Sequence, residues 1–315
     1  MKASGDLQPL KLFIFWGPSL ILEIISQQQI IYTFKETSMK INLIKIAQIF
    51  IWLIFFSGFL AIQIAFPQSD PPIQVGENAR SMTSGNQTRN YMLYVPAEYD
   101  GKTALFLVFL FHGSGASIKR VMEQTGLGNI AEKKKFFIAA PEGLMKTWNM
   151  VASNPGGRNE DVNFVKELIE HIGSKLAIDK KRIYAAGMSK GATFSSRLGC
   201  DLSNDIAAIG GAAGIDFFDN CISIRPIPVI HFFGTEDTWY SNGDDSAVKW
   251  AEKNGCQKIP KTKKISKVVD QMTYISCKNN AEIIIYRIKG GAHVWPSSPD
   301  ATNLIWNFFE AHPMP

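Results

Sequence analysis

The sequence predicts an α/β fold: one domain with a mostly parallel central sheet and helices on both faces. Three observations predict it. Six short apolar runs have the character of strands buried on both faces, helical patterns lie between them, and no internal repeat breaks the series. The first run is "LFLVFLFH" (105–112). "FFIAAPEG" (136–143), "RIYAAGM" (182–188), "IAAIGGAAG" (206–214), "PVIHFFG" (228–234) and "EIIIYRI" (282–288) follow it. In "DVNFVKELIEHIGSKLAI", Val162, Val165, Ile169, Ile172 and Leu176 recur at helical spacing and form one apolar face. "SAVKWAEKNG" (246–255) and "ATNLIWNFFEAH" (301–312) read as further helices.

The N-terminal 66 residues read as an address rather than as fold. The stretch "MKINLIKIAQIFIWLIFFSGFLAIQIAF" (39–66) starts on Met39, places Lys40 and Lys45 first, and carries no further charge until Asp70. A basic start before an apolar run is the pattern of a signal peptide. Met39 is the expected true start, with residues 1–38 an extension ahead of it. The run from Ile46 to Gln68 is also long enough to span a bilayer, so an uncleaved membrane anchor stands beside the signal peptide. Either reading keeps the lysines inside and sends the rest outside. Residues 67–86 are rich in Pro, Gly, Ser and Asn and are expected to be a linker, which leaves 87–315 for the domain.

A net charge of +5 is mild. The most basic stretch, "KIPKTKKISK" (258–267), reads as a solvated loop, and nothing in the chain resembles the basic footprint of a nucleic-acid binder. Four cysteines, Cys200, Cys221, Cys256 and Cys277, suit disulfides in an exported chain. Three pairings are possible. The sequential one, Cys200 with Cys221 and Cys256 with Cys277, closes two short loops of similar size and is preferred. Zinc is the rival, but no two cysteines have the close spacing of a metal knuckle.

"AAGMSKGATF" (185–194) carries the chemistry. Its G-x-S-x-G pattern is weak by itself. Here Ser189 follows a buried strand and precedes a helix, the junction that a nucleophile elbow requires. A serine hydroxyl needs a base, and the base needs an orienting group. Among five histidines, His293 in "IKGGAHVWP" lies on the loop after the last strand, at the sheet edge where such folds keep their sites. It is the expected base. Eight aspartates lie between Ser189 and His293, and Asp237 in "HFFGTED" directly follows a core strand at that edge. Asp237 is the expected orienting acid, with Glu236 its rival. The oxyanion hole needs two backbone N–H groups. Lys190 supplies one, and the loop "FHGSGAS" (111–117) supplies the other from Ser114 or Gly115, with Ser114 preferred.

These blocks resemble the polyhydroxybutyrate-depolymerase-like esterases, which group with the feruloyl and acetylxylan esterases of carbohydrate esterase family one. The resemblance rests on "FLFHGSG", "APEG", "TWN", "EDVNFV", "RIYAAGMSKG", "FFGTED", "KWAEKNGC" and "GGAHVWP", and runs from about residue 91 to 313. It implies an α/β-hydrolase fold, ester hydrolysis through an acyl-enzyme, no metal and no cofactor. It also supports the triad Ser189, Asp237 and His293 and the sequential disulfides. Lys190 departs from the family's usual Asn or Gln, and Ala192 from a common Gly. Only the Lys190 backbone serves the oxyanion, although its ammonium would favour an anionic substrate if it lay near the cleft.

Trp148, Tyr240 and Trp295 lie in blocks expected to border the cleft and to meet a phenolic acid or a sugar. The expected substrate is an ester-bearing polysaccharide or oligosaccharide, with feruloyl or acetyl groups first and a polyhydroxyalkanoate polyester second. A catalytically silent carbohydrate-binding surface protein is the reading from another class. Any membrane contact is expected only through the N-terminal segment.

Overall fold

The computed structural model describes residues 71–150, 159–214, 216, 218–239 and 243–315. The expected signal or anchor segment with Met39, the first residues of the expected linker, and Tyr240 lie outside the described residues. Among the described residues no helix is long and apolar enough to cross a membrane.

Ten strands form one sheet in the order β1-β2-β4-β3-β5-β6-β7-β10-β9-β8. The six apolar runs are its core: β3 (Leu105–Phe111), β4 (Phe137–Pro141), β5 (Ile178–Met188), β6 (Ala208–Ala212), β7 (Val229–Gly234) and β10 (Ile283–Ile288). They pair parallel to one another. Side chains alternate across the pleat, so Leu107, Phe109 and Phe111 of β3 enter one apolar layer while Val108 and Leu110 enter the other. The helices divide in the same way. The first layer packs under α3 (Glu160–Gly173), α4 (Lys190–Asp201) and α5 (Gly243–Asn254). The second packs under α1 (Ile118–Thr125), α2 (Leu127–Lys134) and α6 (Ala301–Ala311). Covering both faces is what makes every residue of β4, β6 and β7 buried, and why those strands read as unbroken apolar runs.

The sheet edges depart from expectation. The expected linker over 67–86 is instead an antiparallel strand from Gly76 to Ser84, β1, paired with β2 (Gln87–Val95). Gly85 opens the two-residue loop between them at φ 59°, the first position where such a turn favours glycine. An outermost strand with polar residues facing water has the composition of a linker, and this caused the misreading. At the other edge, β8 (Lys261–Lys264) occupies part of the stretch read as a loop and pairs with β9 (Val269–Tyr274).

The cysteines pair as Cys200–Cys221 and Cys256–Cys277, each across 21 residues. The first ties the end of α4 to the chain leading into β7, and the second ties the end of α5 to the chain after β9. Closing a loop of this length restricts the unfolded chain by about 3 kcal/mol. Replacing Cys200 and Cys221 together by serine is expected to lower the free energy of urea unfolding by about that amount. Peptide mapping without reductant is expected to recover both sequential pairs.

Candidate active site

Ser189 stands at the turn between β5 and α4, with φ 56° and ψ −125°. A serine rarely adopts a positive φ, and a site that holds one there has to be tightly determined by its surroundings. The surroundings are explicit. Ser189 N–H donates to the Ala212 carbonyl (2.9 Å), which extends the β5–β6 pairing by one bond. The Ser189 carbonyl accepts from Ala192 N–H (2.9 Å) and Thr193 N–H (3.1 Å), which starts the helix. At Gly191 the helix comes so close to β3 that a Cβ would overlap the carbonyl of Phe111. The result lifts a partly exposed hydroxyl above the parallel strand ends.

The "HGSG" loop lies against this serine: a Cβ placed on Gly113 would be 3.2 Å from the Cβ of Ser189. Gly115 N–H is already engaged, donating to Lys146 O (2.7 Å). The N–H groups of Ser114 and Lys190 bond no other described residue. This separates the two candidates left by the sequence and favours Ser114. Lys190 is also the first residue of α4, so its N–H carries the positive end of the helix dipole.

His112 ties the loop down from below. It is fully buried, its Nδ1 donates to Gly113 O (2.8 Å), and its Nε2 accepts from Gly143 N–H (2.9 Å). The bond accepted at Nε2 needs a neutral ring, and burial lowers its pKa in the direction that keeps it so. Trp148 also belongs to this support. The expectation that it contacts substrate fails, because it is only 3 % exposed. Its indole N–H donates to His112 O (2.8 Å), and its ring stacks on Phe194 at 4.9 Å. An aromatic in a loop motif reads the same whether it faces the cleft or plugs the space beneath it.

On the other side of Ser189, the loops after β7 and β10 are stitched together. Thr235 N–H donates to Ile288 O (2.9 Å), Glu236 N–H to Gly291 O (2.9 Å), and Gly290 N–H to the Thr235 hydroxyl (2.9 Å). Gly234 has no room for a Cβ because the Gly291 carbonyl fills that space. Asp237 turns inward, 3 % exposed, while Glu236 faces solvent. The Asp237 carboxylate lies 2.8 and 3.0 Å from His293 Nδ1 and accepts Trp239 N–H at 3.0 Å. A carboxylate at Nδ1 selects the tautomer that leaves Nε2 free of a proton. The ring itself is half-buried.

Trp295, partly exposed, braces this loop. Its indole N–H donates to the Thr302 hydroxyl (2.9 Å), which in turn donates to Thr125 O (2.5 Å) and links the loop to α6 and α1. Sequence reasoning missed Trp239. Its indole is 80 % exposed and centred 6.5 Å from the His293 ring. The signal was available: an aromatic two residues after the acid, on a loop at the active edge.

No protein-family model matches the chain. It is 27 % identical over 231 residues to feruloyl esterase B of Piromyces equi, a match covering 65 % of this chain and 42 % of that protein, so the chain spans less than half of that relative. Feruloyl esterase D of Neurospora crassa is 23 % identical over 284 residues, covering 82 % of this chain and 94 % of the other. The bifunctional acetylxylan esterase/xylanase of Neocallimastix patriciarum is 24 % identical over 229 residues, covering 70 % and 33 %. Among solved structures, the acetyl xylan esterase from Aspergillus awamori superposes with a TM-score of 0.58 at 15 % identity, covering 74 % of this chain and 99 % of the other. The feruloyl esterase module from Clostridium thermocellum gives 0.54 at 16 % identity, covering 77 % and 90 %. The fold is that of the α/β-hydrolases. In sequence the chain is similar to feruloyl and acetylxylan esterases.

Two predictions follow the geometry. Gly191→Ala is expected to remove folded, active protein, since the new methyl group meets backbone rather than a side chain that can move; soluble yield and circular dichroism check this. The second concerns His231 in β7, whose Nε2 accepts Gly214 N–H (3.2 Å), beside the carbonyl of Ser189. Burial pushes its pKa down to about 3, from an ordinary value of about 6.5. Between those values the unfolded chain binds a proton that the folded chain refuses, so stability falls as pH falls, by up to about 1.4 kcal/mol per pH unit. His231→Gln keeps an acceptor without the titration. Its unfolding free energy is expected to fall less steeply than the wild type's between pH 6 and 4, with about one fewer proton taken up on unfolding.

Proposed function

We propose that this chain is a serine carboxylic ester hydrolase that cleaves feruloyl or acetyl esters of plant polysaccharide through an acyl-enzyme. The observation that supports the reading is the His293–Asp237 pair, bonded through Nδ1 on loops at the same end of the parallel strands as the elbow that holds Ser189. The similarity to proteins named feruloyl esterase and acetylxylan esterase supports the choice of ester.

Ser189 Oγ attacks the ester carbonyl while His293 Nε2 takes its proton. Asp237 holds the ring in the tautomer that leaves Nε2 unprotonated and stabilises the imidazolium that forms. The carbonyl oxygen becomes an alkoxide facing the N–H groups of Ser114 and Lys190, which are in place before the charge develops. His293 then returns the proton to the departing alcohol. Water attacks the acyl-serine as His293 takes its proton, and His293 passes that proton to Ser189 Oγ as the carboxylic acid leaves and the hydroxyl is restored. No step in this sequence requires a metal or a cofactor.

A polyester substrate gains nothing from these relatives, whose names concern feruloyl and acetylxylan esters. The catalytically silent binding protein is disfavoured by the buried Asp237, since placing a carboxylate there has its clearest use in orienting His293. We also place the enzyme outside the cytoplasm. Two disulfides and the basic–apolar segment at 39–66 support export.

The test is hydrolysis of methyl ferulate, p-nitrophenyl acetate and soluble 3-hydroxybutyrate oligomers by the wild type and two variants. The wild type is expected to turn over the first two. Ser189→Ala is expected to lose activity by about 10⁵-fold or more, and Asp237→Asn by about 10⁴-fold. Equal rates for Ser189→Ala and wild type would overturn the nucleophile, and hydrolysis of the hydroxybutyrate oligomers alone would overturn the substrate class.

A further inference from the structure

Trp239 is the one large aromatic among the described residues that the fold leaves mostly in water, with 80 % of its surface exposed. Its backbone is fixed, because its N–H donates to Asp237 Oδ1 at 3.0 Å. Its ring is tilted 52° to the His293 ring, with centroids 6.5 Å apart. The next residue after His293, Val294, is also 52 % exposed. Exposed apolar surface held in a defined position at the edge of a polar site marks a place where something binds.

The chemistry of the histidine decides which half of the ester that is. Asp237 occupies Nδ1, so Nε2 is the nitrogen that hands a proton to the leaving oxygen. That transfer needs the leaving oxygen within hydrogen-bond reach of Nε2. The alcohol half of the ester therefore lies beside the imidazole, and the carbonyl oxygen points to the opposite side, toward Ser114 and Lys190. Trp239 stands on the imidazole side. An indole offers a flat apolar face with a polar edge, which suits the C–H face and hydroxyl rim of a sugar ring.

We infer that Trp239 is a specificity residue for the alcohol: its indole is the platform on which the ester-bearing sugar packs while His293 protonates that sugar's oxygen. This rests on the esterase reading above. It assigns the indole to the carbohydrate rather than to the acyl group.

The experiment compares two esters of one acid, feruloylated arabinose and methyl ferulate, with wild type, Trp239→Ala and Trp239→Phe. Where acetyl is the group turned over, the pair is acetylated xylotriose against ethyl acetate. The readout is the ratio of kcat/KM for the sugar ester to that for the simple ester. Trp239→Ala is expected to lower this ratio about tenfold, mainly through KM on the sugar ester. Trp239→Phe, which keeps a flat ring, is expected to restore most of it. An unchanged ratio overturns the inference, whether both rates fall together, as they would if the indole acted on the His293 imidazolium, or neither moves. No turnover of any of these esters by the wild type would instead sink the esterase reading, and this inference with it.

Discussion

At Gly191 the first turn of α4 touches the end of β3, backbone against backbone. Nearly everything at the site follows from that approach. It sets how sharply the chain turns at Ser189, and so forces the positive φ of that residue. It brings the Lys190 N–H over the strand ends, next to the loop that β3 feeds. It also explains why a strained serine is tolerated at all. The hydrogen bonds to Ala212 and from Ala192 and Thr193 hold the turn from both sides. Strain of this kind costs on the order of 1–3 kcal/mol and persists only where neighbours over-determine it.

The two flanks of the serine are built by different means. On the side of the Gly113–Ser114 loop, a neutral histidine and a buried indole fix the chain through His112 and Trp148. On the other side, backbone bonds between the β7 and β10 loops fix Asp237 against His293. Both devices tie short loops at the strand ends to one another by hydrogen bonds, so the polar groups are aligned by the fold itself. Catalysis by charge stabilisation depends on such preorganisation.

The six parallel strands were legible because burial on both faces leaves few polar residues to obscure the run. The elbow was legible for the opposite reason, since Ser189 breaks such a run between two glycines. Strands β1 and β8 were not, because at a sheet edge the side chains facing water read as loop. Trp148 and Trp239 show the limit for side chains. Both lie near the site in sequence, yet one fills a void under the oxyanion loop and the other stands in solvent. Which way an aromatic turns depends on the space left by distant residues such as Phe194, and a local motif does not carry that information. The preference for Ser114 over Gly115 is similar, since what engages the Gly115 N–H is a carbonyl at Lys146 thirty-odd residues away.

The far edge of the sheet carries a consequence for how copies of the protein meet. Strand β8 is exposed along its whole length, and three of its four residues are lysines. An open sheet edge is a template on which another strand can add. Two copies approaching by this edge would set the lysine row of one against that of the other, with no acidic residue within either strand to offset them. Like charges directly opposed across paired strands are unfavourable. Copies of the chain crowded together would thus keep their sheets apart at this edge, guarded by the same short basic stretch that reads as an idle loop.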